Sequence, residues 1–145
     1  MWVNTATASQ SGRFAAVFHA TPNQNNADVL MTLTGGAAAT YTDLPVIVRF
    51  NSNGTIDVRD GATYRALTTV GYSAGKTYKF RVKVNPATQT YDVYVTKPNG
   101  VRKQLASGFH FRSDAGTVSA FTNFAKVREV GNVVVSGLSV ASLLA

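Results

Sequence analysis

The 145-residue chain has no cysteine, one glutamate (Glu129) and only two histidines, His19 and His110. Without cysteine there is no disulfide framework, thiolate nucleophile, iron–sulfur cluster or Cys-based zinc site, and two histidines do not make a multi-histidine metal centre. No apolar stretch approaches the roughly 18 residues of a membrane-spanning helix. Met1 to Gln10 carries neither the basic nor the apolar part of a secretion signal, so such a signal is expected upstream in a larger parent chain or already removed. A helical period sustained over three turns is missing as well.

Hydrophobic residues make up 45% of the composition and charged residues 14%, and fourteen Lys and Arg face seven Asp and Glu, a net charge of +7. The length suits one domain with a single sizeable core, 1–145. A surplus of this size bears on partners rather than fold, and points to nucleic acid, an anionic membrane or an acidic polysaccharide.

Short alternating or β-branched runs recur between turn residues. Arg13 to Ala20 and Ala27 to Thr34 read as strands on either side of a loop from Thr21 and Pro22 through Asn26. Leu44 to Phe50 and Thr55 to Arg59 flank Asn53-Gly54, a hairpin signal, and Asp60-Gly61 is a second. Lys76 to Val84 and Thr90 to Thr96 flank Asn85-Pro86-Ala87. Asn99-Gly100 turns the chain into Val101 to Leu105, and Gly131 to Val140 closes it. About ten strands in one chain predict an all-β, antiparallel two-sheet sandwich of the jelly-roll kind, because one open sheet of that width curls or splits.

Each strand of such a sandwich buries one face, so function is sought on the other. Alternation sends Tyr78, Phe80, Val82 and Val84 inward and Lys79, Arg81 and Lys83 outward. On the hairpin partner, Tyr91, Val93 and Val95 turn inward while Asp92 and Tyr94 join the cations. Cross-strand pairing of Asp92 with Arg81 or Lys83 is the plain reading of that acid. Arg49 and Ile47 oppose Val46, Val48 and Phe50, and Asp57 and Arg59 oppose Ile56 and Val58. If these strands share a sheet, Arg49, Arg59, Arg81, Asp92 and Tyr94 line one surface. Arginine forks bind carboxylates and hydroxyls in pairs, and an aromatic ring offers a face to sugar C–H groups, so such a surface suits a glycan.

The run from Tyr41 to Asn51, the segment from Gly54 to Gly61, the stretch Tyr72 to Arg81, and Thr90 to Val95 together resemble the concanavalin A-like (laminin G-like) jelly-roll modules of secreted bacterial polysaccharide lyases and glycoside hydrolases. The likeness runs from about Trp2 to Val140, and Gly108 to Arg112 fits the family's late strand. It implies carbohydrate binding, often with a structural calcium ion. His19 stands after Phe18 where an acidic residue is expected, which weakens any calcium ligand there. Asp28, Asp43 and Asp60, with the Asn23 to Asn26 loop, are the remaining calcium candidates, and turn capping is the competing reading.

Glycoside hydrolysis normally needs two carboxylates across the scissile bond. Here Asp57 and Asp60 diverge by alternation, and the Glu-x-Asp-x-x-Glu string of hydrolases with this fold is missing. A lyase would use a Tyr or His base with an Arg, as in Tyr94 with Arg81 or His110 with Arg112, but the Arg-x-Glu-x-Arg and Gln-x-His strings of jelly-roll alginate lyases are missing too. Nucleic-acid binding is the second alternative, without an RNP string, helix-turn-helix or zinc ligands in its favour. The expectation is a non-catalytic module, with no membrane partner and no certain cofactor, that holds a secreted, extracellular enzyme on an acidic polysaccharide. Its expected contacts are Arg49, Arg59, Tyr64, Lys79, Arg81, Lys83, Asp92 and Tyr94. The loops around Tyr41, Tyr64 and Arg65 are the fallback location.

Overall fold

In the computed structural model, which describes residues 1–143, the alternating runs become eleven strands: β1 (Trp2–Gln10), β2 (Phe14–Pro22), β3 (Asp28–Thr34), β4 (Val46–Phe50), β5 (Ile56–Asp60), β6 (Thr63–Arg65), β7 (Tyr78–Asn85), β8 (Thr90–Thr96), β9 (Arg102–His110), β10 (Phe121–Val130) and β11 (Val133–Ser142). They form a six-stranded sheet, β1-β10-β3-β4-β5-β6, packed on a five-stranded sheet, β11-β2-β7-β8-β9, with antiparallel pairing throughout. The fold is the expected two-sheet jelly roll. The one helical element among the described residues is a 3-10 turn, Tyr41–Asp43.

Three strands escape the sequence reading, β1, β10 and the three-residue β6 that follows the Asp60-Gly61 turn. β1 is an edge strand of small polar residues with little apolar alternation. β10 buries Phe121, Phe124 and Val127 together with Asn123 and Ala125, so both of its faces are covered and no period of two is visible. β2 also runs on through Thr21 and Pro22, where the residue types favour a loop. Pro22 occupies the last position of the strand, where its missing N–H costs no ladder bond.

The core between the sheets is aromatic. Phe80 on β7 stacks on Phe18 of β2 at 5.3 Å and meets Phe50 of β4 edge-on at 5.9 Å, while Phe18 contacts Phe124 at 5.1 Å and Phe14 contacts Phe121 at 5.3 Å. Tyr78, Phe80, Val82, Val84, Tyr91, Val93 and Val95 are all buried, and Lys79, Arg81, Lys83, Asp92 and Tyr94 are not, as alternation requires. Burying a phenol demands hydrogen bonds. The Tyr91 hydroxyl finds them on the opposite sheet, where it donates to the Arg59 carbonyl and receives the Ile47 N–H at 3.3 Å. Its burial holds the phenol far above its ordinary pKa, and it stays neutral.

The outer face of the six-stranded sheet is partly roofed. Leu30, Ile47, Ala125 and Val127 form a second apolar cluster with Ala38 and Leu44 from the segment between β3 and β4, flanked by Trp2 and Tyr64. Asn4 clamps this cover by donating from Nδ2 to the Ala38 carbonyl and accepting the Ala38 N–H on Oδ1 (3.1 and 2.8 Å). Asn123 reinforces it through Asn4 and Thr34. Asp43 accepts the N–H groups of Ala39 and Thr40, which hold its carboxyl below the usual range.

The single surface expected for Arg49, Arg59, Arg81, Asp92 and Tyr94 does not exist. The β4–β5 hairpin belongs to the six-stranded sheet and the β7–β8 hairpin to the five-stranded one. The chain between β6 and β7 crosses the sandwich along its end, tied to both layers by Ile56 N–H to the Val70 carbonyl and Gly75 N–H to the Pro22 carbonyl. Outward-facing residues of the two hairpins therefore point in opposite directions.

Candidate functional site

Strand register builds the first site on the six-stranded sheet. Leu30 lies opposite Arg49, Arg49 opposite Asp57, and Arg59 opposite Tyr64, all on the outer face. Arg49 donates through Nε and Nη2 to the two oxygens of Asp57, both at 2.8 Å, and its guanidinium lies 3.7 Å from the centre of the Tyr64 ring. Asn51 adds a third hydrogen bond to Asp57 at 2.8 Å. Burial alone would lower the Arg49 pKa, but the bonds and charge of Asp57 outweigh it and the pKa rises. Arg59 approaches the same ring at 5.2 Å while giving Nε to the Gly61 carbonyl at 2.9 Å. Burial keeps Tyr64 protonated, with the nearby arginines opposing it in part.

These residues floor one side of an open depression of about 310 Å³ lined by Asp28, Leu30, Tyr41, Arg49, Tyr64, Arg112 and Glu129. Tyr41, from the 3-10 turn, is 40% exposed and rests edge-on against Trp2 at 5.2 Å. Arg112, just past β9, stands 6.0 Å from the Tyr41 ring and gives Nε to Asp114 at 2.7 Å. Its terminal nitrogens and Nη1 of Arg49 make no hydrogen bond among the described residues. The depression thus offers an exposed ring, guanidinium donors and the acceptor carboxylates of Asp28 and Glu129. That combination meets sugar C–H faces and hydroxyls together.

The outer face of the five-stranded sheet is different. Across β2, β7, β8 and β9 the register aligns His19, Lys79, Thr96 and Arg102 in one row, Val17, Arg81, Tyr94 and Gln104 in the next, and Ala15, Lys83 and Asp92 in a third. Asp92 sits opposite Lys83 but makes no ion pair among the described residues. Its Oδ1 instead accepts the Gly108 N–H at 2.7 Å, at a bulge where Gly108 takes φ +62°. The expected pairing of Asp92 with Arg81 or Lys83 gives way to this bulge. Tyr94 is not an open stacking platform either, because the Arg102 guanidinium lies 4.0 Å from its ring centre.

The two faces also divide the charge. Arg49, Arg59, Arg65, Arg112, Lys126 and Arg128 are matched one for one by Asp28, Asp43, Asp57, Asp60, Asp114 and Glu129 on the six-stranded sheet and the segments packed on it. The surplus of +7 consequently resides on the five-stranded sheet and its connections.

The three acids proposed for calcium do not converge. Asp43 caps its own turn, and Asp60 binds Arg65 Nε and the His110 N–H, each at 2.8 Å, while Asp28 stands at the rim of the depression. No group of three or more Asp, Glu or His side chains gathers among the described residues. Asn23 and Asn25 spend their side-chain oxygens on the Asn132 and Ala74 N–H groups, which is turn stitching. His110 lies against Asp60 at 3.4 Å rather than forming a base with Arg112.

Sequence reasoning reaches Arg49, Arg59 and Tyr64 but leaves Tyr41 and Arg112 out of the binding set, and misses Arg102. Tyr41 and Arg112 flank the site from segments distant in sequence. The one signal for Tyr41 is an aromatic residue in a polar loop.

The two-sheet jelly roll with an open polar-aromatic depression on one face is a carbohydrate-binding module by its family match. Residues 6–113 match the family described as the sialidase-like CBM domain, and the chain belongs to that family. It is 36% identical over 101 residues to a gellan lyase from a Bacillus species, an alignment covering 68% of this chain but only 4% of that protein. Among solved structures, a sialidase superimposes with a TM-score of 0.70 over 97% of this chain and 14% of its own, at 12% identity. A double mutant of congerin II gives 0.58 at 8% identity over 97% of this chain and 100% of its own, and a tetrameric galectin from the ball sponge Cinachyrella gives 0.57 at 15% over 97% and 99%. At such identities these structures share the fold.

Proposed function

We propose that this chain is a single non-catalytic module that holds a secreted, extracellular polysaccharide-degrading enzyme on an acidic polysaccharide, and that the sugar is gripped in the depression on the six-stranded sheet. The observation that carries the reading is the exposed Tyr41 ring set beside the unspent guanidinium nitrogens of Arg49 and Arg112. A pyranose resting on Tyr41 would accept hydrogen bonds from both arginines, and a uronate carboxylate meeting the Arg112 fork would form a charge-assisted pair. Asp57 and Tyr64 hold Arg49 in place, so little rotamer freedom is lost on binding. The net charge of +7 draws polyanions in at long range.

The relative's name supports a polysaccharide-degrading parent enzyme, and the local geometry favours a module without chemistry of its own. The His110 ring rests 3.4 Å from Asp60, Tyr94 lies under Arg102, and Asp57 is consumed by Arg49, so none of these three stands as a free base beside an arginine. Affinity electrophoresis against gellan, alginate, pectin, xanthan and neutral glucans, with and without a chelator, tests the reading. Acidic polymers should retard the chain, and Tyr41→Ala or Arg112→Ala should each weaken binding by about tenfold, equivalent to about 1.4 kcal/mol. No unsaturated product should appear. Retention unchanged in both variants, or no retardation by any polymer, refutes the site.

A further inference from the structure

The charge-balanced depression leaves the chain's largest electrostatic feature unused. Lys79, Arg81 and Lys83 stand outward on β7 at every second residue, about 7 Å apart by the strand repeat. Arg102 extends the row from β9. On the other sheet and its flanks three arginines are ion-paired, Arg49 with Asp57, Arg65 with Asp60 and Arg112 with Asp114. Among the described residues no carboxylate lies within ion-pair distance of any of these four cations, and Asp92, the acid in their midst, is taken by Gly108. The row ends in two shallow hollows. One of about 100 Å³ is lined by Lys79, Arg81, Tyr94, Thr96 and Arg102, and one of about 130 Å³ has Arg13, Lys83 and Asp92 among its walls.

We propose that this face is a second binding surface, separate from the depression, which takes an extended uronate-bearing polysaccharide along β7 through its carboxylates. The inference rests on the reading of the chain as a polysaccharide-binding module, and it gives that module two sides, one recognising sugar by ring and fork and the other by charge alone. The arrangement fits a polymer with spaced anions, because the cations repeat along a nearly straight strand and no loop roofs them. Single-stranded nucleic acid fits less well. Such binders add open aromatic platforms for base stacking, and the Tyr94 ring here is capped by Arg102. The two faces point away from each other across the sandwich, so one polymer segment cannot occupy both, and a module engaged on each side ties two segments together.

The test uses the intact chain and polygalacturonate, a linear polyuronate, at physiological salt. The Lys79→Gln/Arg81→Gln/Lys83→Gln variant should lose more than tenfold in affinity and show a flatter dependence on salt, while its circular dichroism and melting temperature stay near wild type. Lys76→Gln/Lys97→Gln, which removes two cations from loops beside this sheet, should change affinity far less. Combining the β7 changes with Tyr41→Ala should weaken retention further than either change alone, because each face holds its own segment. Equal losses in the β7 and loop variants overturn the proposal, as do single-stranded DNA held as tightly as polygalacturonate and failure of the wild-type chain to retain polygalacturonate. If Tyr41→Ala weakens binding and the β7 variant does not, this second surface is wrong and the depression stands. The opposite pattern sinks the depression and leaves the β7 surface standing.

Discussion

The cation-bearing surface of the five-stranded sheet depends on one structural fact, that even-numbered residues of β7 point into the core and odd-numbered residues point away, and Phe80 with its neighbour Arg81 puts that fact to a quantitative test. The Phe80 side chain is 0% exposed, stacked on Phe18 at 5.3 Å and set edge-on to Phe50 at 5.9 Å, with Val95 opposite it on β8. Truncation to alanine removes a whole ring from a close-packed layer that cannot collapse without moving both sheets. Transfer and cavity contributions together come to about 3–5 kcal/mol. Set against a total stability on the order of 5–15 kcal/mol, that is a large fraction, and for a chain of this length it lowers the melting temperature by roughly 10–15 °C. Arg81, one residue on, is half-buried and makes no ion pair among the described residues, so Arg81→Ala should stay within about 0.5 kcal/mol. Urea unfolding followed by circular dichroism measures both, with m-values unchanged if the native state keeps its compactness. A loss below about 1 kcal/mol for Phe80→Ala, or equal losses for the two variants, would refute the facing of β7 and the charged surface with it.

Two further outcomes follow from individual polar groups. Thr32 is 1% exposed, between Ala125 and Ile47 on the outer face of the six-stranded sheet, and its hydroxyl has no hydrogen-bond partner. Thr32→Val should therefore be neutral or stabilising by up to about 1 kcal/mol in thermal unfolding, and a loss of more than that would mean the hydroxyl is bonded after all. Burial would raise the Asp60 pKa, but the His110 N–H and the Arg65 guanidinium overcome it and hold the carboxyl below its ordinary value. A carboxyl depressed on folding stabilises above its unfolded pKa of about 3.9 and loses that contribution as pH falls through the folded value. Asp60→Asn should cost about 1–3 kcal/mol at pH 7, with the gap to wild type closing below about pH 4. A gap that is constant from pH 7 to pH 3 contradicts this account.

Fold class and most of the facing are legible in the order of residues alone. Alternation in Tyr78 to Val84 and Thr90 to Thr96 names the buried and outward residues correctly, because the side-chain period of a strand is a local property that needs no knowledge of its neighbours. The hairpin turns at Asn53-Gly54, Asp60-Gly61 and Asn99-Gly100 were legible for the same reason, each requiring a glycine at positive φ, as observed. Pairing between distant strands is not a local property. Alternation says that Arg49 and Arg81 both face away from the core, but only the crossing between β6 and β7 decides that they do so on opposite sides of the molecule. The sequence left β10 unread because burial on both faces erases its period, and the roof of Ala38 and Leu44 was invisible because it depends on Asn4 reaching a loop 34 residues away. The depression is likewise a tertiary product. Tyr41 comes from a turn before β4, Arg49 and Tyr64 from strands, and Arg112 from beyond β9, and these segments meet only when the six-stranded sheet brings their ends together. Tertiary structure also decides the separation of charge, because a net +7 is the same number however it is spread, and only the layering of the two sheets leaves the surplus with the five-stranded sheet and its connections.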